Sequence, residues 1–349
     1  MSATMQAAVL YGKEDVRMET VPVPEIGPGE ILVRVRAALT CGTDVKVYRR
    51  GYHARMIQPP ALFGHELAGD IARRGEGVHG FETGQRVVSA NSAPCGDCFF
   101  CKKDQPNLCE DLLFNNGAYA EYIRIPARIV QKNTYVIPDH LDYRDAALAE
   151  PLACAVRGLD ESDVKPGDSL AVLGLGPIGL MFVRLAKYAY GAHVIAIARR
   201  PEQIENAMAL GAEQGILMGN EESGLAAELK KFTGNRGPDV LIEATGHPNS
   251  WTLATHLVRK GGTINFFGGC PAGTTVELDT SLLHYSEITC KATFHHTPRH
   301  VRRALEFIAD GSVTASHLVT HEEPLAQLPR VLAELAHSRN GHIKTAIVP

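Results

Sequence analysis

Four cysteines crowd into fifteen residues, at Cys95, Cys98, Cys101 and Cys109. The spacing C-x2-C-x2-C-x7-C supplies four thiolates. That is enough to close a tetrahedral zinc shell with no position left for substrate, as in a structural site. Gly96 and Asp97 suit the tight path between the first pair. A bacterial iron–sulfur run also begins C-x2-C-x2-C but continues with x3-Cys-Pro. Here the gap is seven residues and Glu110 follows, so zinc is the expected metal. Three other segments set a metal-ligand side chain beside glycine or proline: Cys41-Gly42-Thr43-Asp44, Gly64-His65-Glu66 and Glu150-Pro151. Each alone reads as an ordinary turn. Taken together, a thiol, an imidazole and a carboxylate from three segments can hold zinc with the fourth position open to water or substrate.

A second chemistry is written at Gly174-Leu175-Gly176-Pro177-Ile178-Gly179. This G-x-G-x-x-G string follows a short apolar strand and opens an amphipathic helix, the context in which it binds a dinucleotide. Gly174 permits the tight turn, Gly176 lets the backbone approach a pyrophosphate, and Gly179 lets the helix pack closely on the strand. Pro177 and Ile178 open the helix, whose free N–H groups and positive dipole end face the phosphates. About 20 residues on, NAD-binding chains place a carboxylate for the ribose 2′-hydroxyl. Here the strand His193–Ala198 runs into Arg199 and Arg200 instead. Two guanidiniums suit a 2′-phosphate, so NADP is the expected cofactor, with NAD as the alternative. Gly246 and Gly268 follow two later strands, where ligands bind in open α/β sheets. Both are expected to contact the cofactor.

Behind these residues stand elements of two kinds. Up to about residue 150 the chain is β-rich. Strands are expected at residues 6–10, 30–36, 67–72, 86–90 and 120–125, with a turn through Val21-Pro22-Val23-Pro24. Val33, Val35 and Ala37 alternate with Arg34 and Arg36, the period of a half-buried strand. After Pro151, strands at 169–173, 193–198, 214–217, 239–244 and 263–267 alternate with helices after Gly176 and at 201–210, 222–232 and 249–259. That order predicts βαβ units and a parallel sheet covered on both faces. Helices at 298–309 and 325–336 and a strand at 343–348 complete the chain. Phe294-His295-His296 reads as the polar end of a strand, with paired histidines facing an active-site cleft or cofactor as the alternative. Cys154, Cys270 and Cys290 read as buried small apolar residues.

Length and composition agree with this division. At roughly 100–200 residues per domain, 349 residues make about two domains. A net charge of −4 gives no electrostatic case for nucleic acid. No basic segment leads into an apolar one near Met1, and no apolar run reaches the ~18 residues of a membrane span. A cytoplasmic protein with no membrane partner is expected, and in that setting clustered cysteines are metal ligands rather than disulfides.

Five motifs in this order resemble the zinc-containing medium-chain dehydrogenase/reductase superfamily, over nearly the whole chain. Cys41 to Val45, Gly64 to Glu66 and Glu150 to Leu152 are most similar to its polyol (sorbitol) and threonine dehydrogenase branch. The resemblance implies an α/β protein: a GroES-like β-rich catalytic domain of residues 1–153 and 291–349, and a Rossmann domain of residues 154–290. It implies one structural zinc at the four cysteines and one catalytic zinc in a cleft, bound by Cys41 and His65. The third ligand is Glu66 with water in the resting enzyme, or Glu150 where the set shifts during turnover. The zinc would polarise a substrate oxygen, Thr43 would relay its proton, and hydride would pass to the nicotinamide. The implied reaction is oxidation of a secondary hydroxyl on a polyol or sugar-like substrate. Reduction of small ketones or aldehydes, or a non-catalytic redox sensor, are the alternatives. A homo-oligomer, dimer or tetramer, is also implied. Lys46 departs from the threonine dehydrogenases, which carry histidine there, and lysine is a poor proton shuttle at its ordinary pKa.

Overall fold

The alternation of Val33 and Val35 with Arg34 and Arg36 lies in a strand, Ile31–Leu39, with the valines buried and the arginines exposed. The computed structural model describes residues 3–53, 56–219, 224–337 and 342–349. The chain divides into two compact units, residues 1–153 with 296–349, and residues 154–295.

In the first unit, Ile31–Leu39 is the hub of a seven-stranded sheet. It pairs antiparallel with Glu66–Arg74, Tyr122–Ile125 and the C-terminal strand Lys344–Val348. Arg86–Ser89 and Thr134–Val136 extend one side, and Val319–Pro324 lies parallel to the C-terminal strand. Val33, Val35, Phe63, Leu67, Ile71, Tyr119, Leu332 and Ile347 share one core. Each such side chain contributes about 1.5–3 kcal/mol on burial. The tail returns because Ile347 and its neighbours fill a place beside the hub strand. The turn expected at residues 21–24 is displaced. Val21 and Pro22 end a strand, Asp15–Pro22, paired with Thr4–Gly12. Val16 and Met18 alternate with Arg17 and Glu19, so the strand period runs on into the Pro-containing segment.

The second unit is a parallel sheet in the order 214–217, 193–198, 169–173, 240–243, 263–266 and 289–292. Helices Pro177–Tyr188, Pro201–Ala209, Leu225–Phe232 and Pro248–Leu257 connect the strands. Residues 222 and 223, the expected start of the third helix, lie outside the described residues. The last strand, Thr289–Ala292, straddles the expected boundary at 290/291, and the unit runs on to His295. Among the described residues it has a neighbouring strand on one side only. Cys290 is therefore exposed rather than buried, and Cys154 and Cys270 are only partly covered. No helix among the described residues is long and apolar enough to cross a membrane.

Candidate metal centres and dinucleotide loop

Cys41 is not in a simple turn. It is the extended N-cap residue of helix Gly42–Arg50, and its sulfur accepts from Thr43 N. The helix follows from a reciprocal cap in which Asp44, three residues on, accepts from Cys41 N at 3.0 Å. One short segment thus anchors the sulfur, puts Thr43 in the first helical turn and buries Asp44 beneath them. Lys46 points from the same helix into an exposed position.

His65 and Glu66 come from the start of the strand Glu66–Arg74 and are buried. Asp44 Oδ1 lies 3.2 Å from His65 Nδ1, and Tyr119 Oη donates to Asp44 Oδ2 at 2.6 Å. With Nδ1 held by a carboxylate, Nε2 is the nitrogen left to bind a metal, the usual arrangement behind a metal-ligating histidine. Burial alone would lower the His65 pKa. The Asp44 carboxylate and Cys41 sulfur outweigh it and raise the value well above the ordinary one. Burial opposes ionisation of Asp44 as well, but His65, Tyr119 and the Cys41 N–H hold its carboxyl below the usual range.

The ligand atoms of Cys41, His65 and Glu66 all lie within 4.8 Å of one another. Glu66 is fully buried, and burial pushes its carboxyl up to about 7 against the opposing pull of Lys344. Its Oε2 is buried without a hydrogen-bond partner, although Lys344 Nζ stands 2.7 Å away as an ion contact. A sulfur, a nitrogen and a carboxylate oxygen fit a borderline-soft cation such as zinc. Glu150 stands outside this trio among the described residues. It lies in the first turn of helix Ala149–Glu161, not in a turn, and its Oε1 is 3.5 Å from His296 Nε2. His296 is buried and also meets Asn91 Oδ1 at 3.1 Å. It is therefore no polar strand end, and the strand itself stops at Ala292.

The four cysteines form the second group, again with all ligand atoms within 4.8 Å. Cys95 and Cys101 sulfurs are 3.9 Å apart, and those of Cys98 and Cys109 are 3.8 Å apart. A zinc–sulfur bond of about 2.3 Å gives a tetrahedral edge of roughly 3.8 Å, so the cage has the right size. Without metal the thiols cannot ionise alike. N–H groups of Asp97 and Cys98 bring Cys95 down to about 6, whereas burial pushes Cys101 up to about 12.

In the second unit, Gly174 adopts φ +100 at the end of strand Ser169–Leu173. A side chain there would stand 2.5 Å from Thr245 Cγ2. A Cβ on Gly179 would meet the Gly174 carbonyl oxygen at 2.0 Å, so turn and helix close on each other only with glycine at both ends. Gly176 is the N-cap of Pro177–Tyr188 and no side chain caps the helix. Its first N–H groups are left for an anion, as a pyrophosphate requires. Arg199 and Arg200 are exposed directly after strand His193–Ala198, and Arg200 pairs with Glu202 at 3.2 Å. Gly246 and Gly268 meet at the ends of neighbouring strands, where Glu243 accepts from Gly246 N and the Gly268 N–H donates to the Glu243 carbonyl. Lys344 and Glu243 were not legible as site residues, since neither sits in a motif.

An alcohol dehydrogenase GroES-like domain matches residues 27–139, and a zinc-binding dehydrogenase domain matches residues 177–310. A sorbitol dehydrogenase of Bacillus subtilis is 33% identical over 99% of this chain and 97% of its own length. The chain belongs to the zinc-containing medium-chain dehydrogenase/reductase superfamily. An erythritol/L-threitol dehydrogenase of Mycolicibacterium smegmatis, another similar protein, is 32% identical over 99% of this chain and 98% of its own. A zinc-binding dehydrogenase from Sinorhizobium meliloti, solved with NADP bound, superposes with a TM-score of 0.90 at 30% identity, covering 100% of both chains. This superfamily member is an oxidoreductase acting on CH–OH groups, with zinc and NAD(P) as cofactors.

Proposed function

We propose that the chain oxidises a secondary hydroxyl of a polyol or sugar-like substrate, with Cys41, His65 and Glu66 as the resting ligands of the catalytic zinc. The observation that carries this reading is the convergence of two segments, the cap of helix Gly42–Arg50 and the start of strand Glu66–Arg74, on one close trio of sulfur, nitrogen and oxygen donors, of which His65 and Glu66 are buried. Three donors leave a position open for a substrate oxygen, whereas the four-cysteine cage is closed. Zinc bound there supplies Lewis-acid polarisation, and the nicotinamide supplies the hydride acceptor.

The chain's own residues do the rest. Asp44, braced by Tyr119, orients His65. Thr43, two residues past Cys41, would relay the proton from the substrate hydroxyl, giving up its own hydroxyl proton toward solvent as it accepts that one. Glu150, held beside His296, is the ligand available when the set shifts. Gly174, Gly176, Pro177, Ile178 and Gly179 carry the pyrophosphate, and Gly246 and Gly268 border the nicotinamide. Arg199 and Arg200 favour NADP, because two cations directly follow that strand and the nearby carboxylate, Glu202, is already paired with Arg200.

The polyol class is supported by the sorbitol and erythritol/L-threitol dehydrogenases that the chain resembles. Exposed Lys46 speaks against threonine. A screen of polyols, sugars, cyclitols, threonine and simple alcohols with both cofactors tests the reading. Turnover of a polyol with NADP is expected, and turnover confined to threonine, or a clear NAD preference, sinks the corresponding part. Thr43→Val should lower kcat with zinc retained, and an unchanged kcat removes Thr43 as the relay. The superfamily resemblance further implies a cytoplasmic homo-oligomer, which light scattering on the purified chain checks for assembly.

A further inference from the structure

Glu243 ends the strand Val240–Glu243 of the parallel sheet and is fully buried. Taking a carboxylate out of water is costly, and an apolar side chain of similar volume would often pack a sheet as well or better. A buried carboxylate persists where donors claim its oxygens. Here the donors belong to the turn that follows the strand. Oε1 accepts from Thr245 N at 2.8 Å and from the Thr245 hydroxyl, and Gly246 N lies 3.2 Å from both oxygens. The end of the neighbouring strand is locked to the same place. Gly268 N donates to the Glu243 carbonyl at 2.8 Å, and a Cβ on Gly268 would stand 2.2 Å from Gly246 N and 2.8 Å from Glu243 Oε2. Trp251 Nε1 donates to Gly268 O at 2.9 Å, while its ring stacks on Phe266.

We infer that Glu243 is a positioning residue for the nicotinamide: it draws the turn through Thr245 and Gly246 onto Gly268 and so fixes the wall against which the ring lies. The inference rests on the reading of Gly246 and Gly268 as the border of the nicotinamide. An ionised carboxylate suits the task, because its hydrogen bonds to backbone N–H groups are stronger than those of a neutral acceptor. It also takes three donors from two consecutive residues, which no apolar side chain can do. The role is confined to one end of the dinucleotide. The pyrophosphate turn from Gly174 to Gly179 closes through its own glycines, and it should stand when Glu243 is replaced.

The test is calorimetric titration of wild type, Glu243→Ala, Glu243→Gln and Gly268→Ala. The ligands are NADPH and 2′-phospho-ADP-ribose, which lacks only the nicotinamide ring (NADH and ADP-ribose if NAD proves the tighter cofactor). Glu243→Ala should weaken NADPH binding by about tenfold, the scale of one charge-assisted hydrogen bond, and leave the ringless ligand within about twofold of wild type. Glu243→Gln keeps the volume and an acceptor for Thr245, so its selective loss should be smaller. It decides the matter if Glu243→Ala does not fold. A general loosening of the sheet would weaken both ligands alike, and unchanged binding of both would mean that the turn holds without the carboxylate. Either result overturns the inference. Gly268→Ala probes the underlying reading by itself. If it weakens NADPH selectively while the Glu243 variants do not, the glycines border the nicotinamide and only the role of Glu243 fails. If it leaves NADPH binding unchanged, the border reading fails, and the inference with it.

Discussion

The chemistry of the first unit and that of the second are assembled in opposite ways. The dinucleotide loop is continuous: strand Ser169–Leu173, a glycine turn and helix Pro177–Tyr188, with every essential backbone group within a few residues. The trio of Cys41, His65 and Glu66 depends on residues spread through the first unit. Asp44 holds Cys41 and His65, Tyr119 holds Asp44, and Lys344 holds Glu66. A loop made of backbone tolerates changes around it provided its glycines remain. A buried set of charges is sensitive to any member, because each is the counterion or orienting partner of another.

Breaking the first unit's trio should therefore have the largest effect. Cys41→Ser should lower kcat/KM by about a thousandfold, the loss of several kcal/mol of charge stabilisation. Cofactor binding in the second unit should be unchanged by fluorescence titration. A matching loss of cofactor affinity would erase the distinction between the two units. Asp44→Asn keeps the shape but removes the charge behind His65, and should weaken zinc binding by roughly 10–100-fold, read by chelator competition. An unchanged affinity would mean that the first unit's supporting residues are decorative.

On the second unit's side, replacing Arg199 and Arg200 together with alanine should raise KM for NADP by about tenfold, one lost charge-assisted contact. Zinc content and kcat should stay near wild type. An equal rise in KM for NAD would show that the arginines do not read a 2′-phosphate. The smallest effect is expected at the base of the parallel sheet. Asp239 accepts from Ser169 N, Ser169 Oγ and Arg259, and despite partial burial these contacts hold its carboxyl below the usual range. A depressed carboxyl stabilises the fold above its unfolded value and loses that contribution as pH falls through the folded one. Asp239→Asn should cost about 1 kcal/mol at neutral pH, and the gap from wild type should close below about pH 4. A gap that persists at low pH would assign the loss to packing.

What could be read in the sequence follows the same division. The strand before the glycine loop, the helix after it and the cysteine cage are local, and their spacing carries their geometry. Strands 169–173, 193–198 and 214–217 accordingly fall where their apolar pattern places them. The edge strand Thr289–Ala292 was legible only in part: a strand was expected to run on to Phe294-His295-His296, and it stops at Ala292. Lys344 was illegible for a different reason. A lysine in a strand reads as solvent-facing until the fold lays that strand beside Ile31–Leu39 and against Glu66. His296 likewise reads as a polar end until Asn91 and Glu150 enclose it.

The most direct measurement is anomalous diffraction at the zinc edge from crystals of the purified enzyme. One peak is expected among Cys41 Sγ, His65 Nε2 and the Glu66 carboxylate, and a second at the centre of Cys95, Cys98, Cys101 and Cys109. A peak at the four cysteines alone, or a first-unit zinc bound without Cys41 and His65, would contradict it.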